Sequence, residues 1–196
     1  MWRLIPLIVF VILAYFMWHG LNINPKLLPS TLIDHTVPTF NLPVVNVSES
    51  PRAHSSHAQS THAPKNQAQS AGDSLTQQDF LGHVSLLNVW TSSCSTCREE
   101  HPVLLDIARS KQVLVYGLAY KDNQDDVRRW LKSAGNPYQK VGFDADGKVG
   151  MELGVYGTPE TYLIDSKGII RYRHIGAMTQ EVWQTKILPL IAQQQH

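Results

Sequence analysis

The sequence predicts an α/β domain on a central mixed sheet, preceded by one N-terminal transmembrane helix. Three observations predict it. Residues 4–18 form an uncharged apolar run, strand and helix patterns alternate from Leu75 onward, and two strand patterns near residues 161–175 are joined too closely for parallel pairing. With 196 residues and 17 Lys and Arg against 16 Asp and Glu, the chain suits one core with extra segments and offers no basic footprint for nucleic acid.

Residues 1–23 are read as a membrane anchor. The run from residue 4 to residue 18 is broken only by Pro6, and it reaches Ile23 if Gly20 and Asn22 are tolerated, close to the roughly 20 residues a span needs. A cleaved signal peptide would need a shorter apolar region and a small-x-small site, which neither Phe16-Met17-Trp18 nor His19-Gly20-Leu21 supplies. A buried core helix is the third reading. Arg3 precedes the run, so the positive-inside rule places the remainder on the outer face.

Residues 24–74 are read as a membrane-proximal segment, with an edge strand at 37–42 and a flexible polar insert at 46–74. The insert has Val47 as its one large aliphatic residue and lacks the apolar surface to order itself. His54, His57 and His62 recur at intervals that suit zinc or copper, but in such a tract they are read as solvated side chains.

Residues 75–196 form the domain. The near-continuous apolar run at 84–90 reads as a central strand buried on both faces. Val103, Leu104 and Ile107 mark a helix over 98–109, with Glu99, Glu100 and Asp106 facing solvent. Residues 113–120 give a second strand. Val127, Trp130, Leu131 and Ala134 give a helix that stops at Gly135-Asn136-Pro137, completing a crossover unit. Residues 161–165 and 169–175 form an antiparallel hairpin about Ser166-Lys167-Gly168, and Val182, Trp183, Lys186, Ile187 and Leu190 mark a closing helix.

Cys94 and Cys97 are the only cysteines, so structural disulfides are excluded and any bridge closes a very short loop. They fall at the junction of the buried strand and the helix. The positive end of the helix dipole and its free N–H groups favour a thiolate at Cys94, the attacking sulfur, while Cys97 resolves the mixed disulfide. Such a pair also makes half a zinc site, but no second pair and no nearby His completes a ligand set, so two-electron exchange is preferred. No metal and no cofactor is expected. Gly157-Thr158-Pro159, just before the hairpin, is either an ordinary turn or a cis bend presenting backbone groups of Thr158 and Pro159 to an extended substrate.

The chain resembles the DsbE/CcmG family of thiol:disulfide interchange proteins, closely from Leu75 on and loosely from Val37. The resemblance rests on Leu86-Leu87-Asn88-Val89-Trp90, Cys97-Arg98-Glu99-Glu100-His101, Gly135-Asn136-Pro137-Tyr138 and Gly154-Val155-Tyr156-Gly157-Thr158-Pro159-Glu160-Thr161, continuing through Ile169-Ile170-Arg171-Tyr172-Arg173-His174. It implies a thioredoxin-like fold, a cis bond before Pro159, and Glu100, Tyr156 and Glu160 as part of the acidic surroundings of the active site. Asn88 then stands where ordinary thioredoxins bury an aspartate. Ser93 and Ser95 depart from the family's Trp and Pro around the first cysteine, which moves thiolate stability in a direction the sequence does not give.

The family further implies a bacterial inner-membrane protein, single-pass, with its C-terminal domain in the periplasm. There it would reduce the disulfide of apocytochrome c before haem attachment, alongside other cytochrome c maturation proteins. Electrons would come from an integral-membrane thiol-disulfide donor. A broader envelope reductase or isomerase is the nearest rival, and a metal or haem module without redox turnover is a rival of another class.

Overall fold

The computed structural model describes residues 5–21, 32–47 and 74–194. Of the insert expected at 46–74, residues 48–73, with His54, His57 and His62, lie outside the described residues, and Ser74 enters a strand. Helix α1, Ile5–Leu21, has 17 residues and no charged side chain, with Phe10, Leu13, Phe16 and Trp18 exposed. Among the described residues no helix is long and apolar enough to cross a membrane.

A two-stranded antiparallel ribbon joins β1, Asn41–Pro43, to β2, Ser74–Thr76. The strand expected at 37–42 thus forms later. Pro38 has no N–H to give a ladder, and Val37 bonds instead to the Gly168 carbonyl at 2.9 Å. Val37, Phe40, Leu42 and Val45 are nonetheless buried, so the core recruits side chains well upstream of Leu75.

The main sheet contains β3 (Ser85–Trp90), β4 (Leu114–Tyr120), β5 (Val141–Asp144), β6 (Glu160–Ile164) and β7 (Ile170–Ile175), in the order β5-β4-β3-β6-β7. Strand β3 is central and every one of its residues is buried. It pairs parallel with β4 and antiparallel with β6, which makes the sheet mixed. Side-chain alternation sends Leu86 and Trp90 to one face and Leu87 and Val89 to the other.

The first face is covered by α2 (Ser95–Ser110), α3 (Gln124–Ala134) and the C-terminal helix, in which α5 (Gln180–Val182, after α4 below) passes through a π-helical stretch, Trp183–Ile187, into α6 (Leu188–Gln194). The second is covered by the 37–42 segment, Leu75, Phe80 and α4 (Lys148–Glu152). Strand β5 and α4 have no counterpart in the sequence reading. A four-residue strand containing Gly142 carries too little period to announce itself.

Candidate functional site

Cys94 is the N-cap of α2, in extended backbone geometry, and its Sγ accepts a hydrogen bond from the Cys97 amide at 3.1 Å. This is the helix-mouth placement expected from the sequence, with a sulfur where a capping oxygen usually sits. Cys94 and Cys97 form a disulfide, their Cα atoms 5.3 Å apart. Cys94 is half-buried and Cys97 buried, so a partner reaches the first sulfur more easily than the second.

The Thr158–Pro159 peptide is cis, and the Thr158 carbonyl oxygen lies 3.6 Å from Cys94 Sγ. The loop carrying it is held by Glu160, whose Oε1 accepts from the amides of Tyr156 and Gly157 at 2.9 and 3.3 Å. Its Oε2 accepts from the Tyr162 hydroxyl at 3.0 Å and from Arg173 Nε at 2.8 Å. Both side chains of the Arg173–Glu160 pair are nearly sealed, at 5% and 0% exposure. Glu160 therefore acts inside the fold, beneath the loop. Tyr156 does the opposite: it is 73% exposed, with its ring 5.0 Å from the Arg173 guanidinium.

Glu100 corrects the sequence reading that left it in solvent, because it is 1% exposed. The buried face of α2 runs Cys97, Glu100, His101, Leu104 and Ile107. Counting back from Leu104 and Ile107 by fours and threes would have revealed it. Asn88 Nδ2 donates to Glu100 Oε1 at 2.9 Å and the Met178 amide donates to Oε2 at 2.7 Å. No cation stands among these partners. Burial pushes the Glu100 carboxyl up to about 7, against the lowering effect of the two hydrogen bonds.

Asn88 is the hub of this buried network. Besides Glu100 it bonds the Thr161 hydroxyl at 3.1 Å and accepts from the Tyr138 hydroxyl at 2.8 Å. Burial and the neighbouring Glu100 hold Tyr138 well above the usual phenol range, so it stays a donor. Tyr138 reaches Asn88 by lying across the sheet, stacked on Trp90 with centroids 5.7 Å apart. Gly117 makes room for it: a Cβ there would meet the Tyr138 ring at 3.0 Å and Trp90 Nε1 at 3.1 Å. Thr161, Met178 and Asp122, which grips the segment before Cys94 through Ser92, were missed by sequence reasoning. Their roles arise only where distant elements meet.

Two sulfurs that can bond or part at a helix mouth, beside an open backbone carbonyl, trade electrons with other sulfurs. The chain is a thiol-disulfide oxidoreductase with a thioredoxin-like fold. The Redoxin family model matches residues 36–187. The thiol:disulfide interchange protein DsbE of Pseudomonas aeruginosa is 40% identical over 190 residues, covering 97% of this chain and 92% of that protein. DsbE of Escherichia coli strain K12 is 41% identical over 192 residues, covering 95% and 91%, and DsbE of Allochromatium vinosum is 36% identical over 192 residues, covering 98% and 93%. Among solved structures, the thioredoxin domain of a thiol-disulfide oxidoreductase from Bacteroides vulgatus superposes with a TM-score of 0.59 at 18% identity, covering 81% of this chain and 97% of that one. The chain belongs to the DsbE/CcmG family of thiol:disulfide interchange proteins, within the Redoxin fold family.

Proposed function

We propose that the chain is a membrane-anchored periplasmic reductant that opens the disulfide of apocytochrome c before haem attachment. The observation that carries the chemistry is Cys94 Sγ, placed on the Cys97 amide at 3.1 Å and 3.6 Å from the Thr158 carbonyl. In the reduced form, the Cys94 thiolate attacks one sulfur of the substrate disulfide, and the other leaves as a thiolate. Cys97, once deprotonated, attacks Cys94 Sγ, reforming the Cys94–Cys97 bond and releasing the substrate as a dithiol. The substrate gains two electrons and the cysteine pair loses two.

Glu100, three residues after Cys97 on the same buried helix face, is suited to take that proton. Its hydrogen bonds demand an acceptor at both oxygens, which favours a carboxylate, while burial favours the acid, so neither form is strongly preferred near neutral pH. Tyr156, exposed beside the cis-proline loop, is assigned to contact with the partner, and Glu160 to holding that loop in place. An integral-membrane thiol-disulfide donor would restore the reduced pair, because an oxidising compartment returns it to the disulfide.

The anchor is proposed on the apolar run that includes α1, whose exposed Phe10, Leu13, Phe16 and Trp18 suit contact with lipid. It supports a single pass of the bacterial inner membrane with the C-terminal domain in the periplasm. Retention of the full chain in the membrane pellet after alkaline carbonate extraction is expected, and release into the supernatant would refute it.

A second reading, a broader envelope disulfide reductase or isomerase, draws support from the Thr158 carbonyl, since backbone groups read any extended peptide. Cys97→Ala separates the two. Without the resolving thiol, mixed disulfides should accumulate on Cys94, and Cys94→Ala should trap none. Mass spectrometry of the trapped species that finds apocytochrome c supports the first reading, and a wide set of unrelated envelope proteins supports the second.

A further inference from the structure

Between the end of β3 and the first cysteine the chain reads Thr91-Ser92-Ser93, three small polar residues without bulk or ring to stiffen them. Such a segment has much freedom to lose, yet Ser92 is 8% exposed and held from two directions. Asp122, just beyond β4, holds one side. Its Oδ2 accepts from the Thr91 hydroxyl at 2.9 Å and from the Ser92 amide, and its Oδ1 accepts from the Ser92 hydroxyl at 2.9 Å. Asp122 Oδ1 also accepts from the Asn123 amide at 2.7 Å, which ties the carboxylate to the residue that caps α3. Arg98 holds the other side, donating through Nε and Nη2 to the Ser92 carbonyl at 3.2 and 2.8 Å. The Arg98 guanidinium is itself laid over the Trp130 ring, 4.9 Å from its centroid.

The turn is closed by the Cys94 amide, which donates to the Thr91 carbonyl at 3.2 Å. Displacing Ser92 therefore displaces Cys94. We propose that Asp122 is a positioning residue for thiol exchange: by fixing Thr91 and Ser92 it keeps Cys94 Sγ on the Cys97 amide and beside the Thr158 carbonyl. This rests on Cys94 being the attacking thiol.

Position and charge act with opposite signs here, which makes the role measurable. A carboxylate near a thiol opposes thiolate formation through its charge. A carboxylate that seats the sulfur on an N–H donor promotes it. Removing Asp122 slows Cys94 if position governs and quickens it if charge governs.

The test is the pH profile of iodoacetamide alkylation on the reduced full chain, with the labelled cysteine mapped by mass spectrometry. Asp122→Ala is expected to lower the rate at Cys94 about tenfold at pH 7, with the profile moved to higher pH, the change that accompanies about one pH unit in thiol acidity. Asp122→Asn keeps an oxygen for the Ser92 amide but turns its NH2 toward the Asn123 amide, so it retains part of the grip and is expected to fall between the parent and Asp122→Ala. A faster Asp122→Ala, or an unchanged profile with only a lower melting temperature, overturns the proposal. Should Asp122→Ala fail to fold, Thr91→Val combined with Ser92→Ala removes both hydroxyl contacts and leaves the backbone one. A slowing of about threefold is expected there, and no change overturns the proposal. Label on Cys97 in the parent chain overturns the assignment of the attacking thiol, and with it this proposal, a failure distinct from the other two.

Discussion

Glu100 and Glu160 are both sealed carboxylates near the disulfide, and they solve burial in opposite ways. Glu160 meets a guanidinium, a phenol and two loop amides, and its charge is cancelled by Arg173. Glu100 meets one side-chain amide and one backbone amide and has no countercharge among its hydrogen-bond partners. The first arrangement fixes a charge and so fixes a loop. The second leaves the proton negotiable, as the proposed proton transfer from Cys97 to Glu100 requires.

The largest effect is expected on the paired side of that comparison. Glu160→Gln strands the buried Arg173 charge and should cost about 3–5 kcal/mol in urea unfolding; a loss below about 1 kcal/mol would show that the pair contributes little to holding the loop.

Glu100→Gln tests the other side through its pH dependence. The folded-state value of about 7 exceeds the ordinary 4.5, so between those values the folded chain binds a proton that the unfolded chain has released. The contribution of Glu100 to stability is therefore fully present below 4.5 and is lost as pH rises through 7, by about 3 kcal/mol in all. Glu100→Gln should abolish that slope in denaturation curves taken across the window. The same variant should also flatten the pH dependence of mixed-disulfide resolution and slow it roughly 100-fold above neutrality. An unaltered slope would mean that Glu100 is not the group that titrates.

Gly117→Ala pushes on Tyr138 and should cost about 1–3 kcal/mol while loosening the Tyr138–Asn88 bond. It sharpens the comparison by disturbing the Glu100 network and leaving the Glu160 pair alone, so the mobility of the 154–158 loop should not change in hydrogen exchange. The smallest effect is expected for Tyr156→Ser. With its side chain 73% exposed, stability should move by less than about 0.5 kcal/mol, while exchange with a protein disulfide slows. Unchanged exchange would remove Tyr156 from the partner surface.

Much of the fold was legible because its signals are local. The near-continuous apolar stretch of β3 announced a strand buried on both faces, and the short turn at residues 166–168 enforced antiparallel pairing of β6 and β7. The spacing of Cys94 and Cys97 at a strand-to-helix junction likewise placed one sulfur at a helix mouth before any tertiary contact was known. Strand β5 and helix α4 escaped because four- and five-residue elements carry almost no period.

By itself the sequence determined the redox pair, the strand that delivers it and the hairpin that carries Pro159, since each depends on residues within a few positions of one another. Only the tertiary structure decided what surrounds that pair. How the buried Glu100 carboxyl is satisfied depends on Asn88, 12 residues before it, and on Met178, 78 residues after it. The grip on Ser92 depends on Asp122, 30 residues away. Helical and strand periods state which way a side chain points. The free energy of a charge or a loop is set by what packs against it, and packing is a property of the whole chain.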